Sequence, residues 1–113
     1  MASAALLRLL AALDGAGDDD YEAEVVRERR QCWRGAERVP NRVLDEAIRC
    51  SAVDSVGEEG GIERYVINGI GRAVLRRPEL AEEVLAAALA GRRFTVRDDR
   101  VADLPDPCPA PGR

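Results

Sequence analysis

The chain has 113 residues, a formal net charge of −4 and no histidine or lysine, so all 17 basic residues are arginine. Histidine titrates nearest neutral pH, and lysine supplies Schiff bases and tunable amines, so a catalytic site built on either is excluded within this chain. Apolar residues make up 46% and aromatics 4%, which predicts one domain with a modest aliphatic core, while the net acidity argues against general attraction to nucleic acid.

Cys32, Cys50 and Cys108 are widely spaced and form no C-x-x-C pair. With no histidine to complete a ligand set, no metal is expected, and no motif calls for a cofactor. Reduced thiols fit a cytoplasmic protein, with Cys32 and Cys50 as small core residues. No apolar run reaches the roughly 18–20 residues of a membrane span. Residues 2–13 lack a basic leading region and are not read as a signal peptide.

In chain order, Leu6, Leu9, Leu10 and Leu13 fall at helical spacing, with Ser3 as N-cap and Gly15 as stop. So short a helix must dock on the domain or on a partner chain. Asp18, Asp19 and Asp20 precede a predicted second helix over 21–34 and complement its dipole. On that helix Tyr21, Val25, Val26, Cys32 and Trp33 share a broad face, with Arg29 in the same arc. Arg29 beside Trp33 reads either as an aliphatic stem on apolar surface or as a pair of binding anchors.

Gly35 ends the second helix, and Pro40 or Asn41 opens a third that runs to about Val53. Residues 54–61 read as a loop with Gly57, Gly60 and Gly61 around Glu58 and Glu59. Two carboxylates and no G-K-[ST] exclude a phosphate cradle there. Residues 62–77 fit two readings. Asn68 and Gly69 between apolar runs signal a hairpin. Ile62, Tyr65, Val66, Gly69, Ile70, Ala73 and Val74 fit a helix, which accounts for more positions and is preferred. Gly69 and Ala73 would then let another helix approach closely. A fifth helix begins near Pro78 and stops at Gly91, apolar all round and buried from Val84 onward. Phe94, Thr95 and Val96 read as a strand that turns at Asp98 and Asp99 and returns through Val101. Prolines at 105, 107, 109 and 111 predict an extended tail.

The resulting expectation is a mainly α protein: a bundle of four to five helices with a short C-terminal β-hairpin. A single domain spans 1–104, with 1–14 as a docking helix and 105–113 as a Pro-rich tail. Its expected function is non-catalytic, as an accessory subunit, adaptor or regulator acting through protein–protein contacts, including contact with a second copy. Leu6, Leu9, Leu10, Leu13, Arg29 and Trp33 are the expected contact residues. Arg64, Asn68, Arg72 and Arg76 recur every four residues and form a polar stripe suited to an anionic or polar partner. The alternative is a winged-helix-like DNA-binding regulator that uses this stripe. Against it, the 54–61 connection is long for a helix-turn-helix, and Glu79, Glu82 and Glu83 would repel phosphate at the start of the fifth helix. Catalysis has no assembled candidate, because a cysteine nucleophile would lack a histidine base and adjacent loop glutamates are ordinarily solvated.

Overall fold

The computed structural model describes residues 2–16 and 21–104. The acidic run at 18–20, Cys108 and the Pro-rich tail lie outside the described residues. Among the described residues there are four α-helices and seven strands. The fold is therefore α/β and not the mainly α bundle expected from periodicity. Five strands form one antiparallel sheet, and two more form a separate hairpin.

Helix α1 (Ala4–Gly15) forms where the leucine spacing predicts. The Ser3 hydroxyl accepts from the Leu6 amide at 3.0 Å, satisfying one of the free N–H groups at the helix start. Ser3 also donates through its own amide and hydroxyl to the Glu46 carboxylate, at 3.0 and 2.6 Å. That ties the start of α1 to a helix more than forty residues away.

The expected second helix does not form. Residues 21–34 are a 3-10 turn (Tyr21–Ala23) followed by strands β1 (Glu24–Glu28) and β2 (Gln31–Arg34). Arg29 and Arg30 make the two-residue turn between them, with φ of 52° and 67°. Two positive φ values mark a type I′ turn, whose twist matches that of paired strands. Glycine or asparagine usually fills such a turn, so two arginines conceal it from sequence. Asn41 Nδ2 donates to the Arg30 carbonyl and supports it. Val25, Val26, Cys32 and Trp33 fall on both sides of the turn at positions that mimic helical spacing, and of these Val26 and Trp33 are paired across it.

Strand β3 (Glu37–Val39) follows and pairs with β2. Helix α2 (Asn41–Arg49) buries Val43, Leu44 and Ala47. The predicted 54–61 loop is instead a strand, β4 (Val53–Glu59), turning through Gly60 and Gly61 into β5 (Ile62–Ile67). Both turn glycines have positive φ, 61° and 83°, as another type I′ turn requires. The preferred helix over 62–77 is thus half strand. Only from Gly69 does it become helix α3 (Gly69–Arg76), capped by Asn68. Asn68 is not the hairpin turn either. Its side-chain oxygen accepts from the Gly71 amide at 2.8 Å, while Nδ2 donates to the Ser51 carbonyl and to Asp54 Oδ1.

Close approach in α3 falls on Gly71, not on Gly69. A Cβ at Gly71 would stand 2.4 Å from the Ala52 carbonyl oxygen, whereas one at Gly69 would meet nothing within 4 Å. Helix α4 (Leu80–Leu89) buries Leu80, Ala81, Val84 and Ala87. Its second half is not buried throughout as expected, since Leu89 is 80% exposed. Strands β6 (Phe94–Arg97) and β7 (Arg100–Asp103) form the predicted hairpin, turning at Asp98 and Asp99.

The sheet order is β3-β2-β1-β5-β4. Helix α1 packs against α2 and α3, all three pack against this sheet, and α4 joins α3 to the β6–β7 hairpin. One core results, holding the α1 leucines with Val25, Cys32, Val39, Leu44, Ile67, Val74 and Val84. Strand residues entering it alternate with residues that do not, as a half-covered antiparallel sheet requires.

Candidate functional site

The sheet's other face provides the candidate site. Trp33 pairs with Arg38 on β3 and with Val26 on β1; Val26 also pairs with Arg64 on β5, which pairs with Gly57 on β4. Directly paired residues project to the same face. One row thus crosses all five strands: Arg38, Trp33, Val26, Arg64, Gly57. None of the five belongs to the core or to the apolar residues packed against it.

The guanidinium of Arg38 lies over the Trp33 ring, 5.3 Å from its centroid, a favourable placement of a cation on a π face. At the other end, Arg64 Nη2 lies 4.0 Å from where a Cβ on Gly57 would stand, an ordinary contact distance. Val56 is the extra residue of a bulge in β4 and is 50% exposed. Ile62, Glu59 and Arg64 line a hollow of 290 Å³ on this face. Acidic residues flank the row: pairing aligns Glu24 with Val66 and Asp54 on one side, and Glu28 with Ile62 and Glu59 on the other. The face therefore has an aromatic and cationic centre, apolar neighbours and acidic edges.

The expected site residues are dispersed. Leu6, Leu9, Leu10 and Leu13 are buried in the chain's own core, with exposures of 0%, 6%, 0% and 2%. This corrects their reading as a partner surface: α1 docks intramolecularly, because the sheet and α2 offer it an apolar bed. Arg29 stands exposed in the β1–β2 turn, away from the Trp33 row. The polar stripe is also divided. Arg64 belongs to the open sheet face and Asn68 is a helix cap. Arg72 pairs with Asp14 at 3.0 Å, and Arg76 holds Asp99 through Nε and Nη2, with Nη2 at 2.7 Å. Spacing of four unites these residues only if 62–77 is one helix, and the strand-to-helix change at Asn68 separates them. Sequence reading missed Arg38 and Gly57, and it set Val26 beside Trp33 on a helix face instead of across a strand pair. The row takes one residue from each of five strands, so no local period could reveal it.

Elsewhere the chemistry is structural. Cys32 and Cys50 are buried free thiols, as expected. Burial pushes both thiols above their ordinary pKa, despite the Arg27 hydrogen bond that opposes the shift at Cys32. Such thiols are poor nucleophiles. Arg27 reaches Asp45 at 2.7 Å on the covered side of the sheet. The Tyr65 hydroxyl donates to Glu63 at 3.1 Å, and burial raises its pKa. Among the described residues, no group of three or more cysteine, aspartate or glutamate side chains is placed to hold a metal ion. No helix among them is long and apolar enough to cross a membrane.

Comparisons with protein-family models, with curated proteins and with solved structures gave no match to this chain.

Proposed function

We propose that this chain is a small non-catalytic interaction protein, an accessory subunit, adaptor or regulator, that presents the open face of its sheet to a protein partner or a second copy. The in-register row Arg38, Trp33, Val26, Arg64 carries this reading. Tryptophan and arginine are the residue types most often found as binding anchors. Here they stand together on a rigid sheet, so little conformational entropy is lost when they are covered. The acidic edges favour a protein over a nucleic acid, whose phosphates Glu24, Glu28, Asp54 and Glu59 would repel. The buried thiols fit a reducing compartment such as the cytoplasm.

The test is the mass of native complexes formed by the full chain, combined with solvent footprinting of Trp33. A complex should form in which Trp33 becomes protected. Trp33→Ala and Arg64→Ala should each weaken it without lowering the unfolding midpoint appreciably. A complex that leaves Trp33 solvent-accessible, or that survives both substitutions unchanged, overturns the assignment of this face.

A further inference from the structure

A second surface lies around the edge of the sheet from the open face. A cleft of 340 Å³ runs between α1, β3 and the start of α2. Its walls carry Arg8 from α1, Arg34 from β2, Arg38 from β3 and Arg42 from α2. Glu37 is the one acidic side chain among the described residues that line it, and Ala5, Ala12 and Pro40 contribute accessible apolar lining. Four arginines against one glutamate invert the sign of a chain whose net charge is −4.

Most arginines across the rest of α3, α4 and the second hairpin's base are neutralised within the chain. Arg72 pairs with Asp14, Arg76 with Asp99, Arg77 with Glu83 and Arg92 with Asp103. Around the cleft the pattern differs. Arg34 reaches Glu22 and Glu37 at 3.3 and 3.5 Å, yet its Nε is buried with no acceptor among the described residues. Among the described residues no carboxylate pairs with Arg8, Arg38 or Arg42. A neighbouring hollow of 400 Å³, lined by Arg30 and Gln31, shares Arg38, Val39 and Pro40 with the cleft. The cationic strip therefore continues along β3 to the β1–β2 turn.

We propose that this cleft binds an acidic segment of a protein partner, with carboxylates on Arg8, Arg38 and Arg42 and an apolar side chain over Ala12 and Pro40. The proposal rests on the reading of the chain as an interaction protein, but it concerns a second surface, which shares Arg38 with the open face. Planar guanidinium forks match carboxylates bidentately. Recognition runs through side chains, because β3 is three residues long and is followed by Pro40, which makes it a poor template for an added strand. The apolar lining and the small size of the cleft suit a peptide, which can supply an apolar side chain where a polynucleotide backbone cannot. The acidic residues of the nearby open face would also repel a long polyanion.

The probe is a fluorescein-labelled peptide of about twelve alternating Glu and Leu residues, read by polarisation with the full chain at low and high salt. It should bind at low salt. Binding should weaken roughly tenfold or more in the double variant Arg8→Ala/Arg42→Ala, whose side chains are exposed. Arg93→Ala/Arg97→Ala, with the same charge loss on the second hairpin, should bind as the parent does. Arg64→Ala should also bind normally, which separates this cleft from the open face. Absence of binding overturns the proposal, as does equal loss in both double variants. Tighter binding of an oligothymidylate of similar length would reassign the cleft to nucleic acid. Binding seen only after Asp18, Asp19 and Asp20 are changed to Asn would make the chain's own acidic run the occupant.

Discussion

Neighbouring residues along the strands of the main sheet meet opposite surroundings. Val25 is fully buried while Val26 is half-buried, and Cys32 is buried while Trp33 is half-buried. On one face three helices supply apolar cover, and the strands contribute valine, cysteine and isoleucine to the core. On the other face the described residues provide no helix, and the row there holds a tryptophan, two arginines and a glycine. The difference separates stability from recognition. Residues on the covered face hold the fold through contact with many neighbours, whereas residues on the open face contribute less to folding and are free to contribute to binding.

Substitutions can sharpen this comparison. The largest loss should come from Leu10→Ala, which removes a fully buried side chain of α1 and should cost about 2–5 kcal/mol in urea unfolding. Gly71→Ala should follow at about 1–3 kcal/mol. Alanine ordinarily favours a helix, by about 0.5–1 kcal/mol. Here its Cβ would press on the Ala52 carbonyl and on Ile67 Cγ1 at 2.7 Å, and backbone yields poorly. The double change Arg29→Asn/Arg30→Gly should raise stability by up to about 1 kcal/mol, because asparagine and glycine tolerate the positive φ of that turn. A loss of stability would show that the arginines make contacts worth more than the strain.

Trp33→Ala should cost less than about 1 kcal/mol of folding stability, while weakening any complex formed through the open face. A cost equal to that of Leu10→Ala would break the comparison and make the open face part of the core. The smallest effect concerns acid. Hydrogen bonding to Arg76 holds the Asp99 carboxyl below its ordinary pKa. Stability from that pair is therefore complete above the ordinary carboxylate value and is lost as pH falls through the lowered one. Amide exchange in the β6–β7 hairpin should quicken at acid pH, and Arg76→Ala should remove that pH dependence.

The local features that could be read were those whose signal lies within one element. The leucine spacing of α1, the Ser3 cap, the body of α2 and the Asp98, Asp99 turn all appear where residue pattern places them. The main sheet could not be read in the same way. Its strands are three to seven residues long, too short for alternation to outweigh a helical match. Its first turn is made of arginines, and Val25 and Cys32 repeat as plausibly on a helix as across a hairpin. At Asn68 the chain passes from strand to helix inside a run whose apolar positions satisfy helical spacing throughout.

Composition alone ruled out histidine and lysine chemistry and left arginine as the chain's cationic means of recognition. That conclusion needs no fold, because a missing side chain is missing in every conformation. Which arginines are available was decided by tertiary structure. Arg72 and Arg76, which seemed free on a helical stripe, are held by Asp14 and Asp99. Arg38 and Arg42, which no sequence pattern singled out, come together with Arg8 and Arg34 from four elements that line the cleft. Charge pairing depends on which residues meet across long sequence separations, and those meetings are made only when the sheet closes against its helices.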